Sequence, residues 1–207
     1  MFGTRPSAAI AVLAVAATVA AVSVAPAGAT SRSSCGQSSG GIGTPGSNCR
    51  STGYVNPFAG QRWGPGRIDM GIDLAPLKRE PVVAIGAAKI LGSDSHSGWP
   101  GGHFIWYRLL NGDHAGDVVF VAEHLTNMVP AGVVVNAGQR IATAIPGSPW
   151  TEWGWATPSG STRAYPCYRE GMATNSGRQM SRFLRSLGAT FIPKIAPGPD
   201  WPTGKLC

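Results

Sequence analysis

Short apolar runs separated by glycine, proline, asparagine and aspartate dominate the chain between Tyr54 and Thr157. Runs of about four to eight residues rich in β-branched and aromatic side chains are typical of β-strands. Such runs read, in order, PVVAIG, AAKILGS, HFIWYRLL, DVVFVAEHL, GVVVNAG and QRIATAI. No part of this region has the periodicity of an amphipathic helix. The pattern predicts a mainly β fold, an antiparallel β-sheet assembly or sandwich, in which NGDHAGD at 111–117 forms a hairpin turn.

The pattern changes towards the C-terminus, where SGRQMSRFLRSLG at 176–188 has the spacing of an amphipathic helix. Ser176 is in position to cap its N-terminus and Gly188 to end it. Its apolar face would hold Met180, Phe183, Leu184 and Leu187. We expect this one C-terminal helix to pack on the sheet in a structural role.

The stretch GPGRIDMGIDLAP at 64–76 places Asp69 and Asp73 on either side of Gly71. In a straight strand the α-carbons of the two acids would lie roughly 13 Å apart, too far to share a metal ion. Gly71 allows the chain to bend, and two carboxylates brought together need a cation or a proton between them. We therefore predict a metal site at Asp69 and Asp73, an acid–base pair, or a pairing with nearby Arg67. Two turn-forming aspartates that cap loop amides are the alternative.

PWTEWGWATP at 149–158 is predicted to be a short strand. Its alternation places Glu152 and Gly154 on one face and Trp153 and Trp155 on the other. A glutamate between tryptophans is unusual on an ordinary surface, so Glu152 is a candidate catalytic residue. Trp153 and Trp155 are candidates for substrate binding, because indole rings offer flat apolar faces to sugar rings.

The strand FVAEHL ends in Glu123 and His124. A histidine at this position could be a general base, a metal ligand or only a polar strand end. We take His124 as a second catalytic candidate, and Glu123 and Arg67 as candidates for substrate binding.

The N-terminal residues resemble an export signal. Arg5 precedes an Ala/Val-rich run, and Ala27-Gly28-Ala29 is a small-x-small cleavage site. An uncleaved membrane anchor is the alternative, although Pro26 interrupts the run. We predict a secreted protein that could associate with the cell wall, with no membrane span after cleavage. The expected organisation is a signal peptide at 1–29, a flexible Gly/Ser-rich segment at 30–53, a β domain at 54–158, and a helix with a disulfide-tied tail at 159–207.

The cysteines all follow the predicted cleavage site, and an even number outside the cytoplasm indicates disulfides. They are Cys35, Cys49, Cys167 and Cys207. Three pairings are open, and we favour 35 with 49 and 167 with 207 because each would hold a terminal segment with little apolar content. A zinc site is the alternative, but no CxxC spacing supports it.

The chain carries a net charge of +7. This charge favours an anionic partner, such as peptidoglycan or another anionic cell-envelope polymer, or it only keeps the protein in solution. The basic residues are scattered, with no run of four and no nucleic-acid motif, so we expect no nucleic-acid partner.

The order and spacing of these segments resemble the lysostaphin-type zinc endopeptidases, which cut peptidoglycan cross-bridges. REPVVAIGAAKILGS is similar to a strand pair of that family, and VVVNAGQRIATA is similar to one of its turns. The resemblance covers roughly Asn56 to Thr157. It implies the β fold of that family and a site in which Asp69, Asp73, His124 and Glu152 converge.

At the metal motif the chain departs from the family. The family's aspartate ligand falls on Asp73, its first histidine ligand on Asp69, and the histidine after its central strand on His124. On the last strand, its catalytic histidine falls on Glu152 and its last ligand on Gly154, which has no side chain to bind a metal. The resemblance therefore implies a substituted zinc site: either no metal cofactor or an unidentified divalent ion, since an oxygen-rich set suits Ca²⁺, Mg²⁺ or Mn²⁺ better than zinc.

Two function classes follow for this protein. The first is a non-catalytic envelope protein that binds peptidoglycan or a cell-wall partner. The alternative is an active cell-wall hydrolase, either a metallopeptidase with an unusual metal or an enzyme with a glycosidase-like acid pair. The sequence leaves open whether the protein is an enzyme.

Overall fold

The fold is known from a computed structural model, which describes residues 53–147, 150–165, 168–169 and 172–192. The described residues form ten β-strands and one α-helix. The strands are β1 Trp63–Ile68, β2 Ile72–Pro76, β3 Glu80–Val83, β4 Ala88–Asp94, β5 Phe104–Leu109, β6 Val118–Ala122, β7 Leu125–Thr126, β8 Val134–Val135, β9 Arg140–Ala144 and β10 Thr151–Ala156. The helix α1 covers Asn175–Ser186.

The strands form two antiparallel sheets. The larger has the order β1-β2-β10-β6-β5-β4-β8, and the smaller has the order β3-β9-β7. This architecture confirms the predicted mainly β, antiparallel class with a single helix among the described residues. β10 lies in the interior of the larger sheet, between β2 and β6, and all six of its residues are buried.

The main apolar core lies on one face of the larger sheet, where it includes residues of both sheets and of α1. Trp153 is fully buried there and packs edge-on against Phe58, with ring centroids 5.0 Å apart. Trp155 packs against Phe183 of α1 at 5.3 Å. The opposite face carries a smaller aromatic cluster around Phe104 and Phe120.

Two details of the predicted elements need correction. The helix is capped by Thr174 rather than by Ser176, because the Thr174 hydroxyl accepts a hydrogen bond from the backbone N–H of Gly177. Ser176 is buried inside the first turn. The run GVVVNAG contributes only the two residues of β8, since residues 131–134 are exposed and only Val135 is buried. Gly188, with φ of 95°, follows the helix end as predicted.

Several predictions lie outside the described residues. These are the signal peptide, nearly all of the Gly/Ser-rich segment, and the pairing of Cys35, Cys49, Cys167 and Cys207. The domain boundaries also stay predictions. Within the described part of the chain, no helix has both the length and the apolar character needed to cross a membrane.

Candidate functional site

Asp69 and Asp73 are brought together by the hairpin between β1 and β2. β1 ends at Ile68 and β2 begins at Ile72, so the two acids lie at and just beyond the turn rather than along one straight strand. Gly71 is required at this turn, because a side chain there would overlap the carbonyl oxygen of Trp153 on β10. The predicted bend at Gly71 is therefore present, and it presses the hairpin against the strand that carries Glu152.

Glu152 completes a cluster of three carboxyl groups. It lies opposite Asp73 in the pairing of β10 with β2. Asp69, Asp73 and Glu152 each offer an oxygen within 4.8 Å of the other two. All three are buried, with exposures of 2%, 6% and 2%. Three carboxyl groups this close cannot all stay ionised without compensation.

Arg67 supplies one part of that compensation. Its Nη2 lies 3.0 Å from Oδ2 of Asp69, and its Nε lies 2.8 Å from Oδ2 of Asp73. The Tyr168 hydroxyl donates a further hydrogen bond of 3.1 Å to Oδ2 of Asp69. The guanidinium thus stands where a metal ion would otherwise balance the two aspartates.

A proton on Glu152 supplies the other part. Burial raises the pKa of the Glu152 carboxyl well above its ordinary value of 4.5. The charges of Asp69, Asp73 and Glu123 and a hydrogen bond between Glu152 and Asp69 raise this pKa further. The Oε1 atom of Glu152 is buried and has no hydrogen-bond partner among the described residues. Burial and the neighbouring charges therefore favour the uncharged form of Glu152 beside the ion-paired Asp69.

The backbone of Asp69 is anchored by α1. Both the backbone N–H and the hydroxyl of Thr174 donate to the Asp69 carbonyl oxygen, at 3.0 and 2.7 Å. The same hydroxyl caps the helix through Gly177 at 3.0 Å. One threonine thus joins the helix N-terminus to the turn that carries the acid.

The carboxyl cluster lies on a cavity of about 450 Å³. Arg67, Asp69, Asp73, Glu123 and Glu152 all line it. Its remaining wall is formed by Met70, Gly98, Trp99, Pro100, Gly160, Ser161, Thr162, Tyr165 and Tyr168. The arrangement combines an acid–base cluster with apolar and aromatic surface, which is typical of a ligand site.

The structure separates His124 from this cluster. His124 does not line the cavity, and it does not belong to the cluster of three carboxyl groups. Glu123 and His124 have positive φ values of 68° and 41°, so β6 ends in a sharp change of direction after Ala122. His124 instead packs against Gly101 and Gly147: a side chain at Gly101 would meet the backbone nitrogen of His124 at 2.9 Å, and one at Gly147 would meet its ring at 2.8 Å. Three of the four groups expected to converge thus lie together, and His124 is outside the lining of the cavity.

Trp153 and Trp155 are also not in the cavity wall. The predicted alternation along β10 is correct, but the face that holds the tryptophans is the core face, where they are 0% and 2% exposed. Their indole rings cannot contact a ligand at Glu152, which lies on the opposite face of the sheet. Gly154 shares the face of Glu152, and the Phe120 ring occupies the space of its missing side chain.

Sequence reasoning did not identify several residues of the site. Trp99, Tyr165 and Tyr168 come from loops without strand or helix periodicity, and Thr174 precedes the helix. The cap position of Thr174, three residues before Gly177, was a readable signal. No local pattern marked the aromatic residues, since their position depends on how distant loops pack.

The cluster does not fit zinc. Catalytic zinc is commonly held by three protein ligands that include imidazole. Here the grouped donors are carboxylate oxygens only, and Arg67 already ion-pairs two of them. A hard cation such as Ca²⁺ or Mg²⁺ would suit the oxygen atoms, but it would have to displace the guanidinium.

Comparison with solved structures gives a match in fold, whereas the two sequence comparisons give none. The sequence matches neither a protein-family model nor a curated protein. The NMR solution structure of lysostaphin is similar, with a TM-score of 0.45 and 20% sequence identity. The matched region covers 75% of this chain and 61% of the lysostaphin chain, so this chain spans about three-fifths of that protein's length.

Proposed function

We propose that this protein is a hydrolase that cleaves amide bonds in cell-wall peptides by acid–base chemistry of Glu152 and Asp69. The observation that carries the proposal is the buried carboxyl pair: Glu152 is hydrogen-bonded to Asp69 on the wall of a cavity, and burial raises the pKa of its carboxyl. Two carboxyl groups that share one proton can act as acid and base in the same step. The predicted export signal and the net charge of +7 support a substrate in the cell wall.

The pair accounts for each proton of the reaction. A water molecule adds its oxygen to the amide carbonyl carbon while Asp69 accepts a proton from that water. Glu152 donates its own proton to the carbonyl oxygen, which gives a tetrahedral diol. When the C–N bond breaks, the leaving nitrogen takes the proton held by Asp69, and a hydroxyl proton of the diol returns to Glu152. One water is consumed, and both side chains regain their starting states.

Arg67 and Tyr168 are positioning residues in this scheme. They contact Oδ2 of Asp69 at 3.0 and 3.1 Å, which fixes the orientation of the carboxylate. Arg67 also holds Asp73, so the second aspartate balances the guanidinium charge. We expect Asp73 to set the electrostatics of the pair rather than to exchange protons with the substrate.

The hydrogen bond between the two acids favours amide cleavage over glycoside cleavage. In retaining glycosidases the two carboxyl groups stand about 5–5.5 Å apart, and in inverting enzymes about 6.5–9.5 Å, so that a sugar or water fits between them. Glu152 and Asp69 contact each other directly, as the acids of a shared-proton pair do.

The test is incubation of purified peptidoglycan with the full chain, followed by mass analysis of released fragments. We expect fragments with new amino and carboxyl ends, and a rate loss of about 10²–10⁴-fold in Glu152→Gln and in Asp69→Asn. Glu80→Gln is the matched control, because Glu80 is also buried but lies away from the cavity. If the products have new reducing sugar ends rather than new amino ends, the protein cleaves glycosidic bonds and the proposed amide cleavage is wrong.

Non-catalytic binding of wall material is the second candidate, and the ion pairs of Arg67 favour it. A guanidinium that engages both aspartates makes a stable binding-site wall, and Trp99 and Tyr165 add aromatic surface for sugar rings. The test measures retention on insoluble wall and fragment release from pH 4 to 9, roughly the range over which carboxyl pairs titrate. If the wall retains the protein and no fragment is released at any pH, the protein binds wall material without cleaving it.

A further inference from the structure

A separate hollow lies where α1 packs beside the turn at 111–117. Its volume is about 380 Å³, which is enough for a small organic ligand. Residues on one side of α1, spaced three and four apart, form one wall: Gln179, Arg182, Phe183 and Ser186. The turn, β10 and the segment after β10 form the rest: His114, Asp117, Trp155 and Arg163. We call this site the helix hollow. It shares no described lining residue with the cavity of the carboxyl cluster, so its chemistry is independent of the proposed hydrolysis.

The acidic residue of the helix hollow is already paired with its neighbours. Nη2 of Arg163 donates to Oδ1 of Asp117 at 2.6 Å, and Nδ1 of His114 donates to Oδ2 at 2.8 Å. Partial burial acts to raise the pKa of the Asp117 carboxyl, but the hydrogen bonds from Arg163 and His114 hold this pKa below its ordinary value of 3.8. The ionised form of Asp117 is therefore favoured, both of its oxygens are engaged, and its charge offsets that of Arg163.

Two hydrogen-bond donors of the helix hollow have no partner among the described residues. The first is the indole Nε1 of Trp155, a residue that is only 2% exposed. A buried indole N–H usually has a partner, because leaving it without one costs the free energy of its lost hydration. The second is the guanidinium of Arg182, which forms no ion pair in the described part of the chain. Since Asp117 is the only acid among the described lining residues, the helix hollow has one positive charge in excess.

The wall opposite these polar groups is aromatic. His114, Trp155 and Phe183 contact one another, with ring centroids 5.1, 4.5 and 5.3 Å apart. Aromatic side chains in mutual contact favour a planar, apolar group beside them. The helix hollow thus combines an excess cation and an unsatisfied N–H with a surface for an aromatic ring.

We propose that the helix hollow binds a small aromatic carboxylate. A guanidinium can pair with both oxygens of a carboxylate, and one excess positive charge matches its single negative charge. A phosphate dianion would need a second cation, and Arg163 is already offset by Asp117. The same chemistry occurs in a free aromatic acid and at the C-terminus of a peptide that ends in an aromatic residue.

Titration of ¹⁵N-labelled full-length protein with benzoate tests the proposal. We expect the indole N–H signal of Trp155 to shift while that of Trp153 stays in place. The Nε1 atom of Trp153 is also buried without a partner among the described residues, but Trp153 does not line the helix hollow. Arg182→Gln should weaken benzoate binding about tenfold, the size of one charged hydrogen bond. Arg185→Gln is the matched control, because it removes the same charge from the same helix outside the lining.

A second variant removes the other donor. Trp155→Phe keeps an aromatic ring without the N–H, and calorimetry should show a loss of affinity of about tenfold. The unchanged signal of Trp153 then shows that the core is intact. N-acetylphenylalanine distinguishes the two sources of the ligand. Tighter binding than benzoate supports a peptide C-terminus, and weaker binding supports a free acid.

Four outcomes would overturn the proposal. Benzamide, which has the ring without the charge, could bind as tightly as benzoate, or inorganic phosphate could bind more tightly. Arg185→Gln could lose as much affinity as Arg182→Gln, or the Trp155 signal could stay unshifted up to about 10 mM benzoate, beyond the millimolar range of weak ligands. Glu152→Gln should keep the full affinity for benzoate. A failure of this proposal and a failure of the proposed hydrolysis can therefore be told apart.

Discussion

Glu152 lies directly opposite Asp73 in the antiparallel pairing of β10 with β2. Like charges at such positions destabilise a sheet. Two features reduce this cost: burial raises the pKa of Glu152, which favours its uncharged form, and Arg67 ion-pairs Asp73 at 2.8 Å.

The stability of the protein should fall with rising pH because of Glu152. Burial raises the pKa of its carboxyl in the folded protein, whereas the unfolded chain releases this proton near the ordinary value of 4.5. Above that pH the unfolded state therefore binds fewer protons than the folded state, and the Glu152 contribution is lost by about 1.4 kcal/mol per pH unit until the folded pKa is reached. Glu152→Gln should lack this slope and be more stable than the wild type at neutral pH.

Urea unfolding between pH 5 and 8, roughly the window above the unfolded pKa, measures the difference. Parallel curves for the two proteins would show that Glu152 is ionised in the fold.

Removal of Arg67 should destabilise the fold and create a cation site. Arg67→Gln leaves the carboxylates of Asp69 and Asp73 close together without a counter-charge. We expect a loss of about 2–3 kcal/mol, less than for a fully buried pair because the arginine side chain is partly exposed. Millimolar Ca²⁺ should then raise the Tm of the variant but not that of the wild type, since a bound ion stabilises the folded state.

Arg62→Gln is the control for this experiment, because it removes the same charge from an exposed side chain. An equal Ca²⁺ response in the wild type would mean that the guanidinium does not compete with a metal. Thermal unfolding with and without the ion provides the measurement.

Gly71→Ala should disrupt the contact between the hairpin and β10. The new methyl group would overlap the carbonyl oxygen of Trp153 and lie 2.9 Å from Oε1 of Glu152. The contact with backbone cannot relax cheaply, so we expect a loss of about 3 kcal/mol or more. Gly98→Ala is the matched control, because a methyl group there meets no atom within 4 Å. Denaturant unfolding of both variants checks this, and equal stabilities would show that the hairpin is not pressed on the strand.

Thr174→Ala should weaken both the helix and the turn at Asp69. The substitution removes the cap on Gly177 and the hydroxyl bond to the Asp69 carbonyl oxygen. We expect a loss of about 1–2 kcal/mol. Thr174→Ser keeps the hydroxyl and should recover most of the stability. If serine is as unstable as alanine, the methyl group rather than the hydroxyl is responsible.

Alternation and spacing were sufficient to predict much of the fold. The strand runs, the turn at 111–117 and the apolar helix face depend on local periodicity, which a single segment carries. The bend at Gly71 was also predictable. A straight strand would hold Asp69 and Asp73 too far apart to share a site, and glycine allows the chain to bend. The cap was misplaced by two residues because Ser176 and Thr174 are both residue types favoured at an N-cap; in the structure it is the Thr174 hydroxyl that accepts from the Gly177 N–H.

Alternation along β10 correctly placed Glu152 on one face and Trp153 and Trp155 on the other. It did not show which of the two faces packs against the core. That depends on where α1 and the smaller sheet pack, which is a property of the whole fold. For a similar reason, the strand pattern did not show that His124 would lie outside the cavity lining. The left-handed backbone at Glu123 and His124 changes the direction of the chain, and ordinary strand geometry does not anticipate it.

The sequence by itself determined which segments become strands and helix, and that two aspartates flank a residue able to bend. Only the tertiary structure decided that Glu152, about eighty positions further along the chain, meets them and has a raised pKa. It also decided that Arg67 rather than a histidine pairs with the aspartates. The physical reason is that a carboxyl group's charge state depends on burial and on neighbouring charges. Both are set by strand pairing between distant segments, which no local pattern encodes.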